Sequence, residues 1–143
     1  MADQLTLRIE NSLTAMQAAN QTVLRWLTDL NAPAEIQYFA NLAIEEFVTN
    51  SIKYGYDDEA EHVIEASLSL TGGKLVLTII DDGRAFNPLD APEPKFDVPV
   101  GERPVGGLGL YLVRQLSNRM EYTREGNQNR VRLQKSVRRA TPE

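Results

Sequence analysis

Between Arg84 and Val105 the chain carries five of its seven prolines, Pro88, Pro92, Pro94, Pro99 and Pro104, and shows neither helical nor strand periodicity. Proline fixes φ and offers no N–H, so this stretch cannot be a helix interior or a central strand. A loop of about 22 residues is uncommon inside a compact domain, and such loops are usually lids or binding segments. It divides everything else into two blocks that must close into one core across it.

The first block opens with alternating Leu5, Leu7 and Ile9, a strand. Asn11 or Ser12 can cap the helix that follows, whose apolar positions are Leu13, Met16, Ala19, Val23, Trp26, Leu27 and Leu30. Asn31-Ala32-Pro33 breaks it, and Pro33 suits the first turn of a second helix, Ala34 to Tyr54, with Gly55 as its stop. Ile64, Ala66, Leu68 and Leu70 alternate with polar residues, so that strand has one wet face. Thr71-Gly72-Gly73 is hairpin chemistry. Lys74–Ile80 returns, apolar on both faces and therefore central, and Asp81-Asp82-Gly83 ends it. The second block is Gly106-Gly107-Leu108-Gly109, a helix from Leu110 to about Ser117, and strands near Met120–Arg124 and Arg130–Lys135 that turn at Gly126-Asn127. The order β-α-α-β-β-loop-α-β-β predicts an α+β fold. The form expected is a two-layer α/β sandwich, with a mixed, mostly antiparallel sheet and helices on one face.

Composition narrows the chemistry. The chain has 143 residues, one domain's worth, and 42% of them are hydrophobic, enough for a core without a metal or disulfide. The absence of cysteine excludes thiol nucleophiles, cysteine-zinc sites and iron–sulfur clusters, and the single histidine, His62, excludes a multi-histidine metal site within one chain. A net charge of −5 argues against direct nucleic-acid binding. The basic end, Arg130, Arg132, Lys135, Arg138 and Arg139, reads as a solvated strand edge and tail. No run approaches the roughly 18 apolar residues of a membrane span. Met1–Asn11 has no apolar signal core, so no membrane association and a cytoplasmic location are expected.

Three groups of residues carry possible chemistry. On the second helix the core stripe Ile36, Phe39, Ala40, Ala43, Phe47 and Tyr54 contains Asn50, with Glu46 on its edge at i−4. A polar amide in such a stripe needs a partner. It is either a capping or water-satisfied core amide, or a site in which Asn50 offers a neutral oxygen to a hard cation and Glu46 stands by as a general base. Lys53 on the same flank can meet an anion or pair with Glu46 or Glu45. Asp81-Asp82-Gly83 is either a strand-ending turn or a place where Asp81 accepts from the exocyclic amine of a planar ligand such as adenine, with Gly83 allowing close approach. Gly106–Leu110 is either a hinge or an anion site at a helix N-terminus. It is not a dinucleotide fingerprint, because Leu112 stands where the third glycine belongs, and no Gly-Lys-Ser/Thr makes it a Walker loop.

Taken in order, EEFVTNSIKYG, IIDDGRAFNP, the long loop and GGLGLYLVRQL resemble the ATP-binding boxes of the histidine-kinase-like (Bergerat, or GHKL) ATPase fold. The DDGRAFNP and GGLGLYLV forms narrow the resemblance to anti-sigma-factor serine/threonine kinases of the RsbW and SpoIIAB type. It covers about Leu5 to Lys135 and implies a single domain over 1–143, with an ATP lid over 84–105 and a tail over 136–143. It implies ATP and Mg²⁺ as cofactors, with Asn50 as the Mg²⁺ ligand and Glu46 as the catalytic base for a protein hydroxyl. Asp81 would read the adenine amino group beside Gly83. Gly106, Gly107, Leu108, Gly109 and Leu110 would face the phosphates.

The resemblance also implies a function: a protein serine/threonine kinase that acts as an anti-sigma factor. Its substrate would be a STAS-type anti-anti-sigma antagonist, whose phosphorylation frees the kinase to hold a sigma factor. A homodimer through the first strand and helix is a family expectation. The sequence departs from relatives at three places. Tyr54 stands where histidine is common, Val105 precedes the glycine box where some members have arginine (the nearest here is Arg103), and Asn129 lies where many have a threonine near the adenine. The first two motivate an alternative, a nucleotide-gated binding module that sequesters a partner without phosphorylating it. A sensor histidine kinase is disfavoured, since His62 falls at the start of a predicted strand.

Overall fold

The computed structural model describes residues 3–90 and 107–137. The elements are β1 (Asp3–Glu10), α1 (Leu13–Asp29), α2 (Ala34–Tyr54), β2 (Val63–Thr71), β3 (Lys74–Asp81), a short 3₁₀ turn (Pro88–Asp90), α3 (Gly107–Leu116), β4 (Arg119–Glu125) and β5 (Gln128–Ser136). Most of the expected lid, Gly106, Arg103, Val105, Arg138 and Arg139 lie outside the described residues.

The strands form one sheet in the order β1-β2-β3-β5-β4, and all four pairings are antiparallel. The fold is the α+β arrangement expected, at the antiparallel extreme. β3 is central, as its apolar sequence requires. Its second face is half-buried rather than buried, because Val76, Thr78 and Ile80 look away from the helices. The core lies between the other face and the helices. Leu75, Leu77, Ile79, Val131, Leu133, Ile64, Ala66 and Leu68 meet Phe39, Ile36, Ile44, Leu27, Val23 and Val113 there. Each large aliphatic side chain buried this way contributes roughly 1.5–3 kcal/mol.

Local chemistry sets the element ends. Ser12 caps α1, its hydroxyl accepting from Ala15 N–H at 3.1 Å. Asn31 takes φ of 55°, the left-handed turn that stops α1. Pro33 is the N-cap of α2 and not a first-turn residue. The hairpins turn at Gly72 and Gly126, with φ of 60° and 57°.

Three sequence expectations need correction. Leu13 is 55% exposed and Tyr54 48% exposed, so neither belongs to the core. α2 instead buries Ile44, Val48 and Ser51 along with the expected positions. It packs against α1 and α3 as well as β3 and β5, so its buried face is wider than one stripe. α3 begins at Gly107 rather than Leu110, which places Gly109 inside its first turn. Among the described residues, no helix is long and apolar enough to cross a membrane.

Candidate functional site

A cleft of about 370 Å³ opens where the C-terminal half of α2 meets the end of β3 and the start of β5. Asp81 is the last residue of β3 and continues the inward-facing series Leu75, Leu77, Ile79. Its carboxylate therefore projects from the hydrophobic layer into the cleft. Oδ1 accepts from Gly83 N–H at 2.9 Å and from Asn129 Nδ2 at 2.9 Å. No hydrogen bond to Oδ2 is formed among the described residues. Gly83 sits in a crowded place: a Cβ there would stand 3.0 Å from Gly55 O and 3.1 Å from Asp81 Oδ1, so a side chain would press on its neighbours. Ser51 is 94% buried in the cleft wall, and its hydroxyl has no partner among the described residues. A buried orphan donor beside a free carboxylate oxygen suits a planar polar ligand.

Sequence pattern alone assigns Asn129 no role, yet it is one of two buried polar residues among those described. It sits directly opposite Asp81 in the β3–β5 register. Register was the missing signal, since nothing in Gly126–Arg130 alone says which acid the asparagine faces.

Asn50 also lines the cleft, one turn before Tyr54 at its rim. Glu46 lies a further turn back and is half-buried. Its carboxyl occupies the space that a side chain on Gly109 would fill. The glycine thus leaves room for the Glu46 carboxyl against the first turn of α3, and it has no unusual backbone angle. Burial pushes the Glu46 carboxyl above the ordinary range, and repulsion from Glu45 adds to this while Lys53 opposes it. The first turn of α3 holds N–H groups with no partner inside the helix. Of the residues expected to face phosphate, Leu108 is 38% exposed, whereas the Leu110 side chain is core, leaving only its backbone for such a role. Among the described residues no three acidic, histidine or cysteine side chains gather to hold a metal. A single amide oxygen fits an ion such as Mg²⁺, whose remaining ligands are phosphate and water.

The loop after α2 closes the outer wall. Tyr56 stacks on His62, ring centroids 3.7 Å apart, and its hydroxyl donates to Asp82 Oδ1 at 2.8 Å. His62 Nε2 lies 2.8 Å from Asp58 Oδ1, and Nδ1 lies 3.5 Å from Asp82 Oδ1. Arg84 pairs with Asp57, and its N–H donates to Gly55 C=O at 2.8 Å. The structure thus brings Asn50 and Asp81 to one cleft, sets Gly83 against Asp81 and Gly55 at its edge, and brings Glu46 against Gly109.

Comparison with known proteins agrees with this architecture. A family model described as a histidine kinase-like ATPase domain matches residues 9–135. A serine/threonine-protein kinase, BtrW, of Bordetella bronchiseptica is 26% identical over 129 residues, covering 87% of this chain and 89% of that protein. The anti-sigma F factor of Bacillus thuringiensis is 31% identical over 105 residues, covering 72% of this chain and 70% of that protein. A crystal structure of the RsbU and RsbW domains of a Mycobacterium tuberculosis protein superimposes with a TM-score of 0.66 at 18% identity, over 96% of this chain. That match spans only 33% of the mycobacterial chain and speaks for the fold.

Proposed function

Since the chain belongs to the histidine kinase-like ATPase family, we propose that it is an ATP-dependent protein serine/threonine kinase and anti-sigma factor. Its substrate is a STAS-type anti-anti-sigma antagonist, and its other partner is a sigma factor. It works in the cytoplasm without direct contact with nucleic acid or membrane, and as a homodimer. The observation that carries the kinase reading is the Glu46 carboxyl lying on Gly109. It puts a carboxyl with raised pKa at the first turn of α3, two helical turns from the cleft rim.

Asp81 accepts from the adenine amino group through Oδ2, and Gly83 lets the ring lie against the backbone. Asn50 is the residue that would hold Mg²⁺, which when bound supplies charge neutralisation on the phosphates. The N–H groups of the first turn of α3 take the terminal phosphate oxygens, at the positive end of the helix dipole. Glu46 accepts the proton of the incoming serine or threonine hydroxyl as its oxygen bonds to the γ-phosphorus, and the bond from that phosphorus to the β–γ bridging oxygen breaks to release ADP. Its raised pKa brings it nearer the operating pH than an ordinary carboxylate, which favours proton transfer.

The test is transfer from γ-labelled ATP with Mg²⁺ in a lysate of the source organism, comparing wild type with Glu46→Gln. The wild type labels a small protein, and the variant loses transfer by roughly 10²–10⁴-fold while still binding ATP. Equal labelling by the variant removes Glu46 from the role of base. The acid limb of the wild-type rate profile has its midpoint above the ordinary glutamate value of 4.5. Nucleotide-dependent partner binding with no labelled product would replace the kinase by a nucleotide-gated sequestration module.

A further inference from the structure

Asn129 makes more side-chain hydrogen bonds than its neighbours, and all of them are internal. Nδ2 donates to Asp81 Oδ1 at 2.9 Å and to Arg84 C=O at 2.8 Å, with Gly83 C=O at 3.4 Å as a weaker third acceptor. Oδ1 accepts from Tyr122 O–H at 2.6 Å and from Phe86 N–H at 3.3 Å. A primary amide has two N–H donors and one oxygen with two lone pairs, so its capacity is filled. It is 4% exposed. Although it lines the cleft, Asn129 has no valence left for a ligand, and whatever it does for binding it does through Asp81.

What it does there follows from the geometry. The carboxylate of Asp81 can rotate about its side-chain bonds. Two donors on the same oxygen, Gly83 N–H and Asn129 Nδ2, select one orientation and leave Oδ2 without a partner among the described residues, on a residue that lines the cleft. The same amide fastens the backbone at Gly83, Arg84 and Phe86, the first residues after β3. Arg124 adds a donor to Gly83 C=O at 2.7 Å from the neighbouring strand β4. The acid and the chain leaving it are therefore held by β5 and β4 as one unit.

We propose that Asn129 is the positioning residue that fixes Asp81 for discrimination of the purine 6-amino group. This rests on the reading of Asp81 as the adenine acceptor. The preference for adenine then resides in a pair of residues on β3 and β5. The cross-strand asparagine converts a mobile carboxylate into an aimed one. An acceptor held at one angle rewards a donor at the 6-position and penalises its absence, because a buried acceptor is then left unpaired.

The experiment measures calorimetric affinity for ATP and for a purine riboside triphosphate lacking the 6-amino group. It uses the full chain and its variants Asp81→Asn, Asn129→Ala, Asn129→Thr and Tyr122→Phe. Wild type prefers ATP by roughly 10- to 100-fold, the range of a charge-assisted hydrogen bond. Asn129→Ala lowers ATP affinity and brings the ratio near one, while the affinity for the analogue changes little. Asn129→Thr, whose hydroxyl keeps one donor, recovers part of the ratio. Tyr122→Phe loses a bond on the amide oxygen alone and keeps the ratio. A residue that only stabilised the fold would lower both affinities together, and that result overturns the proposal. If Asn129→Ala fails to fold, Asn129→Thr and Tyr122→Phe decide the matter by the same ratio. An unchanged ratio in Asp81→Asn would instead overturn the adenine reading itself. Loss of the ratio in Asp81→Asn, with the ratio kept in Asn129→Ala, overturns only the positioning role.

Discussion

Gly109 shows how one missing methyl can serve chemistry rather than folding. It lies in the first turn of α3, where alanine would favour the helix by about 1 kcal/mol. An added Cβ would coincide with the Glu46 carboxyl. That carboxyl is the far end of a flexible side chain, so the clash is relieved by rotation at small cost to stability. The two effects nearly cancel in the fold, but the proposed base, once displaced, no longer addresses the turn proposed to face phosphate. Gly109→Ala is therefore expected to melt within a few degrees of wild type while transferring phosphate about 10²-fold more slowly, the scale of a 1 Å misplacement. Thermal unfolding and a labelled-transfer assay check the two halves separately. Transfer near the wild-type rate would mean that the base works from elsewhere. At this scale Glu46, Asn50 and Asp81 stand out in the sequence as candidates, by residue type, by spacing and by the resemblance of the boxes that carry them. Leu13 and Tyr54 were misplaced because periodicity shows that a residue is apolar, not whether a neighbouring element covers it. Asn129 could not be assigned because its partner is 48 residues away.

At the level of elements, α2 and the loop behind it do two jobs at once. The helix buries Phe39, Ile36, Ile44 and Val48 in the core and carries Asn50 and Ser51 to the cleft on the same body. Its extent was legible because Asn31-Ala32-Pro33 and Gly55 punctuate it. The start of α3 was not, because glycines usually weaken a helix and here packing against α2 overrides that preference. The loop after α2 is tied down by side chains, with His62 between Asp58 and Asp82 and stacked on Tyr56. The hydrogen bond to Asp58 raises the His62 pKa above the ordinary 6.5, and the same bond lowers that of Asp58 below 3.8. The histidine's contribution is complete below 6.5 and is lost as pH rises through the raised value. The aspartate's contribution is complete above 3.8 and is lost as pH falls through the lowered value. The clasp is thus strongest between those limits and loosens on the alkaline side. In an NMR titration of the single histidine, Asp58→Asn is expected to move the midpoint down toward 6.5. A midpoint that stays put would mean the pair does not form in solution.

On the scale of the whole molecule, the site exists because the sheet is ordered β1-β2-β3-β5-β4. The last strand inserts beside β3 and only then sets Asn129 opposite Asp81. Strand existence and the two hairpins could be read from alternation and glycine turns, and so could the class of fold. The insertion of β5 could not, because local pattern carries no information on which distant strand pairs with which. This arrangement makes nucleotide binding a property of the closed fold. The cleft draws on α2, β3, β5 and the chain after β3, so the unfolded chain has nothing equivalent to offer. A ligand that binds only the native state stabilises it by about 2.7 kcal/mol at 100 times its dissociation constant. For a domain of this size that corresponds to a rise in Tm of roughly 5–10 °C. ATP with Mg²⁺ is expected to produce that rise in wild type. Asp81→Asn replaces the acceptor proposed for the adenine amine by a mixed donor and acceptor, and is expected to remove most of the shift at the same concentration. The comparison is made by scanning calorimetry against each protein's own ligand-free melt, so that any intrinsic destabilisation by the variant cancels. An equal shift in both proteins would place the base away from Asp81. No shift in wild type would mean that the cleft between α2, β3 and β5 is not the ATP site.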